Sequence, residues 1–374
     1  MKKVLFLSFV NIALKNGGGM ATLSYYNAVC ACRPGNVDLM MSQEYCVGHF
    51  SHAIGMPKRS VLDYFTDCNL HRGKSFIKRY IRDNYQKYDT VVINNGRNAG
   101  DMMDYIHKYN LRIIVIHHNF EVEYSMTNKS FYTLGGHFPY IVSYFEGQAY
   151  RKADVNCFMT AKDVALFEDY YGPANAEKHI LAVYETEHRD FTPSLCSNAK
   201  TCLITGSMCT YQTYYSIKKF GEVYMKCFTD VCPDFKIIIS GRNPNSVIYD
   251  LRDKWSESIS VIPNPEDMNE IMDMGAFFIC PTCIGGGIKL RVMDGLKKGL
   301  PALVHEISAR GYEAFGDLPY FQVYNDTQSF IKGLNSIRSF IDNNRDYQNI
   351  IINKYKENFS FETGVSRMKK ILNG

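Results

Sequence analysis

The chain has 374 residues, 46% hydrophobic and 21% charged, a balance that excludes a disordered or fibrous protein and supplies apolar side chains for two cores of ordinary size. Its 42 basic and 38 acidic residues leave a formal charge of +4, too small to mark a nucleic-acid-binding protein. No apolar run approaches the roughly 20 residues that span a bilayer, and the twelve cysteines are scattered through a chain too long to need disulfide staples, which points to reduced thiols and a cytoplasmic protein.

The chain opens on Met-Lys-Lys followed by VLFLSF, a basic and apolar start like that of a secretory leader. It is read instead as a strand over residues 4–9, because polar Asn11 follows and the chain then enters the turn Asn16-Gly17-Gly18-Gly19, ahead of a helix beginning near Met20. Glycine lets a backbone approach a ligand, and the unbonded N–H groups of a helix start favour an anion. Gly18 and Gly19 are therefore candidates for a phosphate-type contact; a plain turn is the other reading.

Residues 72–88 place Arg72, Lys74, Lys78, Arg79 and Arg82 on one helix face and Phe76, Ile77, Tyr80, Ile81 and Tyr85 on another. Such a helix either rests on anionic lipid, holding the protein at the inner face of a membrane, or packs its apolar stripe on its own domain. Strands are expected at 90–94, 112–117 and 154–159 with amphipathic stretches between them, the alternation of βαβ units in a parallel sheet. The strand at 112–117 closes on His117-His118-Asn119, with Glu121 and Glu123 just beyond.

After residues 187–193 the alternation restarts, with strands expected at 201–205, 236–240, 259–262, 276–280 and 302–304. The restart divides the chain into a first Rossmann-like domain at 1–187, a second at 188–355 and a final helical segment at 356–374. In open α/β sheets ligands bind beyond the carboxyl ends of the strands, so the loops there are the places to look. The loop Thr205-Gly206-Ser207-Met208 nominates Gly206 and Ser207, and Ser240-Gly241-Arg242-Asn243 adds the cation Arg242. Neither Gly17-Gly18-Gly19 nor the turn at Gly206 fits GxGxxG or the P-loop signature, which weakens dehydrogenase and NTPase readings.

The most informative loop runs Cys280-Pro281-Thr282-Cys283-Ile284-Gly285-Gly286-Gly287-Ile288-Lys289 and continues into a helix carrying Asp294. The backbone amides of Gly285, Gly286, Gly287 and Ile288, with the Lys289 ammonium, suit a diphosphate, and Asp294 suits ribose hydroxyls. Cys280 and Cys283 have redox or metal spacing, but no second pair or nearby His completes a zinc set. A structural role is read for them, with redox chemistry as the alternative.

Residues 279–304, ICPTCIGGGIKLRVMDGLKKGLPALV, resemble the donor-binding segment of the retaining family-4 glycosyltransferases. The likeness extends to Gly17-Gly18-Gly19, to HHNFEVEY at 117–124 and to EGQAYRKADVNCFMTAKDVALF at 146–167. It implies an α/β fold of the GT-B type, two Rossmann-like domains with parallel sheets facing across a deep cleft and a C-terminal helix crossing back to the first domain. A nucleotide-sugar donor would be held mainly by the second domain and a saccharide or lipid-linked acceptor mainly by the first. The resemblance implies retention and no metal or other cofactor, in keeping with the lack of an Asp-x-Asp motif. It further implies that His118 contacts the donor sugar and assists turnover, with His117 the less favoured partner and a satisfied core histidine as the other reading. By position, His117, Asn119 and Glu121, with Glu123 nearby, are acceptor-side candidates; solvated loop carboxylates are the other reading of the two glutamates.

Two departures stand out. Where many family members carry two glutamates separated by seven residues, this chain has Gly286 and Asp294, and the Arg and Lys expected soon after Gly206 are not evident. Phosphate charge would then fall on Lys289, joined by Arg242. Two rival readings share the donor pocket: a sugar-nucleotide epimerase and a catalytically inactive nucleotide-sugar-binding protein.

Overall fold

In the computed structural model, which describes residues 2–14, 16–58, 71–127, 139–194, 200–316 and 318–374, the chain divides into two compact units. Met1–His188 and Phe361–Gly374 make the first, and Arg189–Ser360 make the second. The second unit thus extends to Ser360 rather than stopping at 355.

The first unit is built on β1 (Lys3–Ser8), β2 (Val37–Ser42), β3 (Ile54–Met56), β4 (Tyr88–Asn94), β5 (Arg112–His117), β6 (Val155–Phe158) and β7 (Glu177–Ile180). They form one sheet in the order β3-β2-β1-β4-β5-β6-β7, with every neighbouring pair parallel. Parallel sheets are covered on both faces, so their central strands read as unbroken apolar runs. Leu5, Leu7, Val91, Ile93, Ile113 and Val115 accordingly share one core cluster.

The second unit repeats the plan with β8 (Thr201–Ser207), β9 (Lys236–Arg242), β10 (Ile259–Pro263), β11 (Phe277–Cys280), β12 (Ala302–His305) and β13 (Phe321–Tyr324), in the parallel order β10-β9-β8-β11-β12-β13. Its core joins Ile204, Ile237, Ile239, Phe277, Ile279 and Leu303 to Phe228 and Phe330. In both units the strand order reverses direction beside the first strand, at β1/β4 and at β8/β11. That reversal is where an open α/β sheet leaves a crevice for ligands.

The helix His71–Asn84 spends its apolar stripe on the first unit. Ile77 and Ile81 are fully buried in the core, and Phe76, Tyr80 and Tyr85 pack against it. Lys74, expected on the basic face, is itself buried, paired with Asp101 at 2.6 Å and set over the Phe145 ring at 4.6 Å. Its apolar stripe is thus spent on its own domain, while Arg79 and Arg82 stay exposed. Among the described residues no helix is long and apolar enough to cross a membrane.

The final helix, Phe361–Asn373, belongs to the first unit and packs on the helix Gly17–Cys32. Arg112 donates to the carbonyls of Ile371 and Leu372, and Arg367 to that of Leu181, so two guanidiniums tie the helix to the sheet. Gly364 is where this helix meets Tyr184: a Cβ there would lie 2.1 Å from the ring. Gly364→Ala should cost about 1–3 kcal/mol through overpacking, read as a lowered urea midpoint at unchanged slope.

Candidate functional site

In the second unit β8 runs into the helix Tyr211–Val223 and β11 into the helix Leu290–Leu296. Right-handed crossovers that leave adjacent strands in opposite directions put their helices on opposite faces of the sheet. The packing agrees, since alternate residues of a strand point to opposite faces. Ile217 and Phe220 cluster with Phe277 and Ile279, whereas Gly295 rests on Phe278. The two strand-end loops are consequently left side by side at the switch point.

A side chain of the first helix and two from the turn after β12 pin the β11 loop there. Ser216 accepts the Cys283 N–H at 3.1 Å, and Ser308 donates to the Thr282 carbonyl at 2.8 Å. Tyr312, buried against Phe321 and Phe359, donates to the Lys289 carbonyl at 2.9 Å. Gly285 has φ +92°, a left-handed backbone suited to glycine, and its missing side chain leaves room for Gln212, whose Nε2 would lie 2.3 Å from a Cβ. That Nε2 is buried with no hydrogen-bond partner among the described residues.

The loop so pinned presents unpaired donors. Gly285, Gly286 and Gly287 are buried, yet the backbone N–H groups of residues 284–288 donate to no protein acceptor among the described residues. Buried amides without a partner are rare, and a run of them forms a nest for an anion. Ile288 is half-buried at its end.

Lys289 does not reach outward as the sequence reading expected. It is buried, and its ammonium turns back to donate to the carbonyl of Gly286 at 2.6 Å and of Gly287 at 3.4 Å. The cation at the switch point is instead Arg291, which donates to the Thr205 carbonyl at 3.4 Å and to Thr213 Oγ1 at 3.1 Å. A Cβ on Gly206 would come within 2.7 Å of the Arg291 fork, so the glycine makes room for the guanidinium. Ser207 and Arg242 lie exposed in register at the ends of β8 and β9. Asp294 sits a turn into its helix, half-exposed and paired with Lys297 at 2.7 Å.

Cys280 and Cys283 are free thiols with separate partners, Ser308 and Ser216, which fits their structural reading. Among the described residues no three His, Cys, Asp or Glu side chains are grouped to hold a metal ion.

In the first unit the switch point is closed by neutral hydrogen bonds. Asn94, at the end of β4, donates to Thr22 Oγ1 at 3.0 Å and Ser8 Oγ at 3.4 Å, and Thr22 donates to the Gly18 carbonyl at 2.7 Å. With its amide nitrogen so used, Asn94 turns its oxygen to His118 Nε2 at 2.8 Å. His118 therefore carries its proton on Nε2 and keeps Nδ1 as an acceptor. The chain brings Gly18, Asn94 and His118 together.

Gly17–Gly19 form the first turn of the helix Gly17–Cys32 rather than a loop before Met20. Asn16 caps that turn by accepting the Gly19 N–H at 2.9 Å, and a Cβ on Gly19 would fall 2.1 Å from the Leu14 carbonyl. Gly19 is thus accounted for by close packing of its own loop.

His117 is a core residue. It is stacked on Phe158, and its Nε2 meets Asn156 Oδ1 at 2.9 Å. Glu121, expected to meet acceptor hydroxyls, is buried, with its carboxylate on Arg97 at 3.1 Å and on the Asn119 amide at 3.3 Å. Beneath it Glu146 is fully buried and accepts the Glu121 N–H and the Tyr171 hydroxyl. Burial, then the charge of Glu121, pushes the Glu146 carboxyl well above the ordinary carboxylate range. Arg291, Gln212, Asn94 and Glu146 are the residues that sequence reading missed. Asn94 alone had a local signal, an asparagine closing an apolar strand.

Solved structures share the fold over the whole chain. HepE from Anabaena, solved in complex with UDP, is 10% identical, with 99% of each chain covered and a TM-score of 0.67. Sucrose-phosphate synthase from Thermosynechococcus elongatus is 11% identical over 100% of this chain and 98% of its own, with a TM-score of 0.71. A UDP-forming α,α-trehalose-phosphate synthase from Burkholderia xenovorans is 10% identical over 100% and 98%, with a TM-score of 0.64. No protein-family model and no curated protein sequence matches the chain. The fold is thus the two-domain α/β fold of GT-B glycosyltransferases.

Burial lowers the pKa of both His117 and His118 from 6.5 to about 4, so both rings are neutral at pH 7. The unfolded chain takes up these protons first as pH falls from 6.5 towards 4, so the folded state loses stability across that window, by roughly 3 kcal/mol per ring at its acid end. Melting temperatures measured from pH 7 to pH 4 should fall accordingly. His118→Gln should flatten that limb; an identical slope would overturn the assignment.

Proposed function

We propose that the chain is a glycosyltransferase that moves a hexosyl or related sugar, with retention, from a nucleoside diphosphate sugar to a saccharide or lipid-linked acceptor in surface polysaccharide or glycolipid synthesis. The observation that carries this reading is the run of unpaired backbone amides at residues 284–288, at the switch point of the second sheet. A nest of amides recognises phosphate oxygens, and a fold shared with HepE, which has been solved with UDP-glucose, supports a nucleotide sugar as their owner.

The chemistry asked of the second unit is electrostatic. The bond from the anomeric carbon to the diphosphate breaks, the bond to the acceptor oxygen forms, and the acceptor proton passes to a phosphate oxygen of the leaving group. Fixed donors aimed at the growing negative charge stabilise this step without reorganisation. We assign no protein nucleophile and no metal to it. Gly206, Ser207 and Arg242 at neighbouring strand ends, with Asp294 for ribose, complete the donor side.

The first unit presents His118 Nδ1 as a neutral acceptor at the end of β5, suited to a carbohydrate hydroxyl, with Asn119 beside it. Gly18 is linked to it by three hydrogen bonds in series, through Thr22 and Asn94.

A melting-temperature screen against UDP-, GDP-, ADP- and dTDP-sugars tests the reading. A bound donor at a hundred times its Kd adds about 2.7 kcal/mol, and a screen in which none raises the melting temperature refutes the proposal. With the donor known, an incubation without acceptor that yields an epimer mixture would point to an epimerase. Binding with no transfer to any acceptor would point to a binding protein. In a transfer assay His118→Ala should slow turnover roughly ten- to hundredfold, the loss of one or two hydrogen bonds.

A further inference from the structure

Arg291 is the second residue of the helix Leu290–Leu296, yet its guanidinium reaches across the end of β8 to Thr213, on the helix covering the opposite face of the sheet. We propose that Arg291, and not Lys289, is the cation that binds the diphosphate of the donor, and that Lys289 is an internal strut of the glycine loop. This assignment rests on the reading of the second unit as a nucleotide-sugar site.

Three observations carry it. The half-buried guanidinium touches only two neutral acceptors, the Thr205 carbonyl and Thr213 Oγ1, and no carboxylate pairs with it among the described residues. Of its five donors, most remain unspent, in a planar fork that fits phosphate oxygens two at a time. An uncompensated charge held partly out of water is costly unless an anion meets it.

The guanidinium also lies where the anion must come. It covers Gly206, and the turn on which it rests passes through Gln212, which packs on Gly285 of the amide nest. No basic residue occurs between Gly206 and Lys218, so the β8 turn has no cation of its own. Arg291 delivers one from the next loop over.

Lys289 differs in each respect. It is buried, and its ammonium already lies on the carbonyls of Gly286 and Gly287. Those bonds turn the loop carbonyls inward, which leaves the intervening amides facing the other way. The ammonium shapes the nest instead of entering it.

The test compares Arg291→Gln, Arg291→Lys and Lys289→Met with the full-length chain in calorimetric titrations. The probes are UDP, GDP, ADP and dTDP, the matching nucleoside, and inorganic pyrophosphate. For the nucleotide that the parent chain binds, Arg291→Gln should weaken diphosphate binding at least about tenfold. Nucleoside affinity should stay within about threefold, Arg291→Lys should recover part of the loss, and the salt dependence of diphosphate binding should become shallower. Lys289→Met should lower the melting temperature while keeping the ratio of diphosphate to nucleoside affinity near that of the parent.

Equal diphosphate affinity in Arg291→Gln would overturn the proposal. So would an equal loss for diphosphate and nucleoside, which marks Arg291 as a mere staple between loops. A selective loss in Lys289→Met alone would reverse the two roles. If the parent chain bound no nucleoside diphosphate, the nucleotide-sugar reading would itself fall, and this assignment with it.

Discussion

A parallel sheet cannot reverse its strand order without parting the chain. At β8 and β11, neighbours in the sheet, the crossovers leave in opposite directions, and their right-handedness sends one helix to each face. Two strand ends therefore stop side by side, each running on into its own loop. Backbone N–H groups released there have no ladder to join, and only a ligand, a side chain or another loop satisfies them. Gly206, Gly285 and Arg291 all answer to that constraint. The first makes room for a guanidinium, the second for Gln212, and the third bridges the gap between the faces.

The first unit meets the same topological problem with different chemistry. At β1 and β4 the parted ends are sewn together by Ser8, Thr22 and Asn94, none of them charged, and the last acceptor in the series, His118 Nδ1, is neutral at pH 7. A chain of neutral hydrogen bonds suits a neutral, hydroxyl-rich partner, because each hydroxyl both donates and accepts. An uncompensated guanidinium beside bare amides suits an anion. On the proposed reading, two sheets of one topology thus differ in the class of molecule their switch points would take, a donor carrying phosphate at one and an acceptor carrying hydroxyls at the other.

Much of the fold was legible because buried parallel strands are short, β-branched and unbroken. All nine strands expected from apolar runs are present, from β1 to β12. The missed strands lack that signal: β7 is an edge strand with two exposed residues, β13 is a four-residue edge strand with an exposed valine, β3 has three residues, and β2 carries Asp38 amid its methionines. The site was legible only as positions. Sequence nominated the triglycine loop and His118, but the direction a side chain takes depends on what else needs satisfying nearby. Lys289 and Arg291 stand two residues apart with the same sign of charge, and no periodicity separates the one that folds back from the one that reaches over. Glu121 illustrates the reverse error. A carboxylate after a strand end looks solvated in sequence, yet Arg97, distant in the chain, draws it under the surface.

That burial anchors the strand end carrying His118. Glu146 holds the first N–H of the helix Glu121–Thr127 and the Tyr171 hydroxyl at once, while Arg97 closes on the Glu121 carboxylate from the β4 side. Buried polar groups linked this way must stay satisfied together, since releasing one strands its partner in a medium of low dielectric. His117 adds to the anchorage by stacking on Phe158 and bonding Asn156. The residue beside it can then keep one ring nitrogen committed and one available. An imidazole with a single fixed tautomer discriminates a donor from an acceptor on its ligand, which a freely rotating ring does not. On the proposed reading, the buried acids and His117 need not touch a substrate to matter, because they hold the backbone from which His118 projects.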